Sequence, residues 1–160
     1  PFGTFWPLSA GPDDLLVWIA SPEKLGPFLS CVLSQNFKRI RPQKIILLIE
    51  DTHEENIPFR ELFEAKGVVV IPCVYQPLKW VDGFWGKVTE LIKGENFRLD
   101  SQKTRFFISA EKPLLREVWT TLVHDRGVRE ENILHHGQGM NSSSYGEKLR
   151  EKIVEQLKAA

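Results

Sequence analysis

Residues 15–37 read LLVWIASPEKLGPFLSCVLSQNF. The first six, Leu15 to Ala20, are apolar without a break, and Ser21 and Pro22 end the run. A short continuous apolar run bounded by turn residues reads as a strand buried on both faces. The loop Ser21–Pro27 follows, with Pro27 suited to the first turn of a helix. Phe28, Leu29, Val32, Leu33 and Phe37 then recur at helical spacing. A strand with no solvent face needs helices on both sides of its sheet. The expectation is a central strand at Leu15–Ala20, with a helix from Pro27 packed on the sheet by Phe28, Val32 and Leu33.

The same alternation continues outward. Pro42 separates the first helix from a second apolar run, Lys44 to Ile49, and an acidic loop, Glu50 to Asn56, follows. Phe59 to Ala65 reads as a short helix stopped by Gly67. Val68 to Val74 reads as a third strand, with Pro72 placing its later part on an edge or at its end. Gln76 to Gly86 is a loop carrying Trp80, Phe84 and Trp85, which read as packing residues. Lys87 to Lys93 makes two helical turns, Arg105 to Ser109 a fourth strand, and Pro113 to His124 a helix burying Leu114, Leu115, Val118, Trp119 and Leu122. Gly127 closes that helix, and Asn132 to His135 is a fifth strand. A Gly/Ser-rich loop, Gly137 to Gly146, precedes a last amphipathic helix, Tyr145 to Leu157, whose Leu149, Ile153 and Leu157 form one stripe.

Strands alternating with helices imply a three-layer α/β fold: a mostly parallel, Rossmann-like sheet of about five strands with helices on both faces. In such sheets ligands bind beyond the carboxyl ends of the strands, where strand order reverses. The candidate ligand loops are then Ser21–Pro27, Glu50–Asn56, Tyr75–Gly86 and Ser109–Pro113.

The 160 residues hold 21 Lys plus Arg and 21 Asp plus Glu, so the formal net charge is zero. That lacks the basic excess of a nucleic-acid binder. No run of about 18 apolar residues occurs, and the opening Pro1, Gly3 and Pro7 do not resemble a secretory leader. Cys31 and Cys73 have no metal-ligand or CxxC spacing and read as buried thiols, which suits a reducing compartment. Adjacent His53, Glu54 and Glu55 do not have the spacing that converges on one ion, and no metal is expected. Ser30, Ser34 and Ser109 lack a nucleophile-elbow context.

With the loops placed, the chain resembles the nicotinamide-nucleotide-binding domain of the ferredoxin–NADP reductase superfamily. Pro1-Phe2-Gly3-Thr4-Phe5 resembles the G-P-F-G-x-F stretch that closes that family's flavin barrel. Ile19 to Phe28 has the length of its I-A-G-G-x-G-I-T-P-F loop, with Pro27 and Phe28 in register. Gly86-Lys87-Val88-Thr89-Glu90-Leu91 resembles G-R-V-T-x-L. Ile108 to Leu114 stands where the family has V-C-G-P-x-P-M, and Gly127-Val128 with Ile133-Leu134-His135 resembles its closing segment. The likeness covers about residues 1–137 in chain order. It implies that residues 1–13 end a preceding flavin-binding barrel, that 14–137 form the nucleotide-binding unit, and that 138–160 are an added loop and helix. The chain is thus expected to be a fragment of a larger protein, cytoplasmic or on the cytoplasmic side of a membrane-bound parent.

The resemblance carries roles onto particular residues. Ser21, Lys24, Gly26 and Pro27 would receive the cofactor's phosphates. Asp51 and Thr52 would meet the adenosine ribose, where an acidic residue favours a free 2′-hydroxyl and so NADH over NADPH. Ser109, the catalytic position, would border the nicotinamide with Ala110 and Glu111. The implied function is hydride transfer from NAD(P)H to an FAD on the upstream domain and then to an unnamed electron acceptor. The departures point the other way. The phosphate loop's glycines are replaced by Ser21 and Pro22, and Pro22 has no N–H to offer an anion. Ala110 and Glu111 replace glycine and proline. The alternative is a degenerate, non-catalytic relative serving as an interaction or regulatory module.

Overall fold

A computed structural model of the chain describes residues 15–38, 44–99 and 103–136. The expected turn region at Pro1–Asp13, the break at Pro42, the Gly137–Gly146 loop and the Tyr145–Leu157 helix lie outside the described residues. One parallel sheet contains β1 (Leu15–Ala20), β2 (Lys44–Asp51), β3 (Val69–Val74), β4 (Thr104–Ser109) and β5 (Ile133–His136). Their order across the sheet is β3-β2-β1-β4-β5. β1 is central, as its composition predicts: Val17 stands between Ile46 of β2 and Phe106 of β4. The chain winds outward from β1 to β3, then returns to β4 on the other side, so strand order reverses between β1 and β4.

Among the described residues four α-helices complete the layers: α1 (Gly26–Leu33), α2 (Arg60–Ala65), α3 (Val88–Lys93) and α4 (Lys112–Thr120), the last running on through a wider π turn at Thr121–Asp125. The two-residue period of β1 divides its side chains between two cores. Leu16, Trp18 and Ala20 join Phe28, Cys31 and Val32 of α1 and Phe63 of α2. Val17 and Ile19 join Val88 and Ile92 of α3 and Leu115 and Val118 of α4. Trp18 and Phe28 stack with ring centroids 4.8 Å apart. Cys31 and Cys73 are buried free thiols in opposite cores. Burial pushes Cys31 up to about 12 and Cys73 upward as well.

Several local expectations need correction. Leu33 is 60% exposed and does not pack α1. Phe28, Cys31 and Val32 already fill the inward face, and the next residue is turned about 100° further round the helix. Phe59 is not part of α2: it precedes the helix in the left-handed region, φ 61°, which a helix cannot include. β2 runs on through Asp51, so Glu50 and Asp51 belong to the strand rather than to the following loop. Trp80 and Trp85 are largely exposed rather than buried among the described residues, at 74% and 55%. Phe84, half-buried, does pack beside the edge strand β3. Its N–H donates to the Pro72 carbonyl (2.8 Å), and the Val74 N–H donates to its carbonyl (2.9 Å). Gly83 permits this approach, since a Cβ there would run into the Pro72 carbonyl oxygen.

Arg126, just past the π turn, ties α3 to the path into β4. Its guanidinium donates to the carbonyls of Ile92 (2.9 Å), Gly94 (3.2 Å) and Phe97 (2.7 Å).

The Trp18–Phe28 stack joins α1 to the central strand. Phe28→Ala removes a fully buried ring and is expected to cost about 3–5 kcal/mol. Urea denaturation checks this; a loss below about 1 kcal/mol would mean that α1 is not held through this contact.

Candidate functional site

The carboxyl ends of β1, β2, β3 and β4 lie along one rim of the sheet. Beyond β1 the chain turns through a short 3₁₀ segment, Pro22–Lys24, before entering α1. Three main-chain positions at the start of this loop offer no open donor. The Ser21 N–H donates to the Ser109 carbonyl (3.3 Å), the Lys24 N–H to the Ser21 carbonyl (3.0 Å), and Pro22 has none. Ser21 is 7% exposed, and its hydroxyl has no hydrogen-bond partner among the described residues. Gly26 and Pro27 open α1 but do not line the cleft described below.

Beyond β4 stand Ser109, Ala110 and Glu111. Ser109 is fully buried, and its hydroxyl donates to the Lys24 carbonyl at 2.6 Å. Ala110 is 3% exposed. Glu111 occupies the N-cap position of α4 without a side-chain cap bond. Its carboxylate lies 3.7 Å from the Lys24 ammonium. The two loops flanking the strand-order reversal are therefore joined by a hydrogen bond and an ion pair. Next to them, burial and then the Lys24 charge hold His136 below the usual histidine range.

The loops after β2 and β3 hold each other. Thr52 Oγ1 donates to the Tyr75 hydroxyl (2.7 Å), and His53 Nδ1 lies 2.8 Å from the Gln76 carbonyl oxygen. The Glu54 carboxylate accepts the Leu78 N–H (2.9 Å) and the Lys79 N–H (2.8 Å). These bonds, with the Leu78 N–H foremost, keep the Glu54 carboxyl below its ordinary value. Glu54 is thus spent on loop architecture, and it is Glu50 and Asp51 that reach the rim.

Between these loops lies an open cleft of about 270 Å³. It brings together Ser21, Asp51 and Glu111 from the sequence-based candidates, Glu50 and Tyr75 from the candidate ligand loops, and Lys87 and Glu117, which sequence reasoning did not single out as site residues. Five carboxylates line it, from Glu23, Glu50, Asp51, Glu111 and Glu117, against one lysine. That lysine, Lys87, lies over the Tyr75 ring at 5.5 Å. Glu50 accepts the Val88 N–H (2.9 Å) at the start of α3. Burial raises its pKa, opposed by that N–H and reinforced by Glu117. The cleft suits hydroxyl and amine groups, which carboxylates can accept, better than phosphates, which they repel. Fit to a dinucleotide is therefore uneven. Asp51 and Glu50 can accept ribose hydroxyls, whereas in the loop after β1 the N–H groups of Ser21 and Lys24 are bound to carbonyls, Pro22 has none, and the one cation is paired.

Glu50 makes stability fall on the alkaline side of its titration. Its folded pKa lies above the unfolded one. The favourable contribution is complete below the unfolded value and is lost as pH rises through the folded value. Glu50→Gln keeps an oxygen for the Val88 N–H and removes the charge. The variant's melting temperature should exceed that of the wild type progressively as pH rises past the glutamate range. Parallel melting-temperature profiles from pH 4 to 8 would contradict this.

No protein-family model and no curated protein matches the chain. Solved structures do. A ferredoxin NADP+ reductase from Neisseria gonorrhoeae with bound FAD and NADP is similar over 81% of this chain and 58% of that one, at 18% identity and a TM-score of 0.67. The CS-b5R domains of human Ncb5or in the NAD+ form are similar over 84% of this chain and 40% of that one, at 20% identity and a TM-score of 0.64. The cytochrome b5 reductase domain of Ulva prolifera nitrate reductase matches 78% of this chain and 49% of its own, at 18% identity and a TM-score of 0.59. This chain covers less than two thirds of each. Strand order, parallel pairing and these likenesses agree: the chain has a Rossmann-like α/β fold that is shared with parts of these reductase structures.

Proposed function

We infer that this chain is the nicotinamide-nucleotide domain of a flavoprotein oxidoreductase, partnered by an FAD-binding domain. The observation that carries the reading is the placement of Asp51. It ends β2 on the rim where related folds read a ribose, and Glu50 stands beside it. Asp51 and Thr52 meet the adenosine ribose, Ser21, Lys24, Gly26 and Pro27 the phosphate side, and Ser109, Ala110 and Glu111 the nicotinamide side. The cofactors supply the hydride chemistry when bound. The protein's part is to orient them.

One observation favours a second reading, that of a non-catalytic interaction or regulatory module. Ser109 is fully buried under the Lys24 carbonyl, and the loops at the strand-order reversal are closed on each other.

The two readings differ in nucleotide affinity. Replacing Ser21 and Pro22 by glycine removes two side chains and returns one N–H to the loop. A hydrogen bond to a charged group contributes about 1.5–3 kcal/mol, so NADH affinity should rise about tenfold or more. The added freedom of the unfolded loop costs about 0.4–1 kcal/mol per residue in stability. Lys24→Ala should weaken whatever binding exists. A double glycine variant that folds normally and shows no NADH binding by calorimetric titration would leave only the second reading.

Glu50 and Asp51 also set the preference between cofactors. An additional 2′-phosphate placed at these carboxylates is repelled, so NADH should bind more tightly than NADPH. Competitive titration of the two checks this, and tighter NADPH binding would refute it.

A further inference from the structure

We propose that Glu111 is an internal competitor for the ligand's phosphate: its carboxylate occupies Lys24 and so determines which ligands the cleft admits. This rests on the nucleotide-binding reading above and adds to it a specificity-determining residue. The loop Ser21–Pro27 contains one cation, Lys24. Its main chain is fixed at the end of β4 by the 2.6 Å bond from the Ser109 hydroxyl to its carbonyl. Its ammonium lies 3.7 Å from Glu111 Oε1. Glu111 stands at the N-cap of α4 yet makes no side-chain cap bond to its own helix, so its side chain is left to face Lys24.

A phosphate approaching this loop meets no main-chain donor at Pro22 and finds those of Ser21 and Lys24 bound to carbonyls. The one cation of the loop, the Lys24 ammonium, is already held by Glu111. Glu111 also lines the cleft with Ser21 and Pro22, so its carboxylate repels the same phosphate directly. Both effects have one sign. Their size is bounded because the pair is partly open to water, with Lys24 29% and Glu111 58% exposed. An ion pair of that exposure sets an effect of about fivefold in affinity, not of several decades. A ligand without phosphate is indifferent to the contact.

The test uses ADP-ribose and adenosine as probes, titrated calorimetrically into the intact chain, Glu111→Gln, Lys24→Ala and the double variant. Glu111→Gln should bind ADP-ribose about fivefold more tightly and leave adenosine unchanged. The gain should vanish when Lys24→Ala is added. ADP-ribose binding that is indifferent to Glu111, a gain shared equally by adenosine, or a gain that survives Lys24→Ala overturns the proposal and leaves the nucleotide reading standing. Absence of ADP-ribose binding in the wild type, in Glu111→Gln and in the double glycine loop variant overturns both. A second measurement needs no ligand or variant. Carbodiimide treatment should join Lys24 to Glu111, seen by peptide mass spectrometry. Failure to form that cross-link in the ligand-free chain also overturns the proposal.

Discussion

β1 is apolar on both faces, and that constraint orders the rest of the molecule. A strand with no polar side cannot face water, so its sheet must carry a helical layer on each surface. Trp18 and its alternates meet α1 and α2, while Val17 and Ile19 meet α3 and α4. Helices on opposite faces require that the chain leave β1 and β4 in different directions. The loops after those two strands therefore diverge at the strand-order reversal, which is where α/β sheets of this type offer a ligand crevice. The position of the candidate site follows from the burial of six residues.

What occupies the crevice is set by charge and main-chain hydrogen bonding. In this chain the divergent loops are rejoined by side chains: the Ser109 hydroxyl on the Lys24 carbonyl, and the Lys24 ammonium beside Glu111. Neither contact contributes much stability, since one is a single hydrogen bond and the other a solvent-accessible ion pair. Their importance lies in location. They take up the groups that a phosphate would use, while Glu50, Asp51 and Glu117 make the neighbouring cleft negative. The fold is retained because its core does not depend on the loop. A few side chains at the rim, not the core, decide what the crevice can hold, which is why a shared fold leaves function open.

The loop from Gln76 to Gly86 shows a different division of labour. Its main chain is fastened to the Thr52–Arg60 region by the Glu54 carboxylate, His53 and an ion pair between Arg60 and Asp82 at 3.5 Å. Phe84 covers part of the β3 edge. Trp80 and Trp85 are left exposed on this fixed frame, although the Trp85 indole N–H donates to the Val81 carbonyl at 3.0 Å.

The sequence by itself determined the architecture. Continuous apolar runs at Leu15–Ala20 and Lys44–Ile49 and periodic helices between them demand a parallel, doubly covered sheet, because burial of apolar surface is local to each element and legible in its period. It also determined the loops that reach the rim, and with them Ser21, Asp51 and Glu111. Tertiary structure alone decided which carboxylates face the cleft. Glu50 and Glu54 are four residues apart in one acidic stretch, yet one reaches the cleft and the other clamps the next loop. It alone brought Lys87, just before α3, and Glu117 of α4 into the site, and turned Leu33 and Trp80 outward where composition favours burial. It alone placed Lys24 beside Glu111, 87 positions apart in the chain. Periodicity records which face of an element is buried; it carries no record of which polar groups on different elements meet, since that depends on how the finished layers bring their loop ends together.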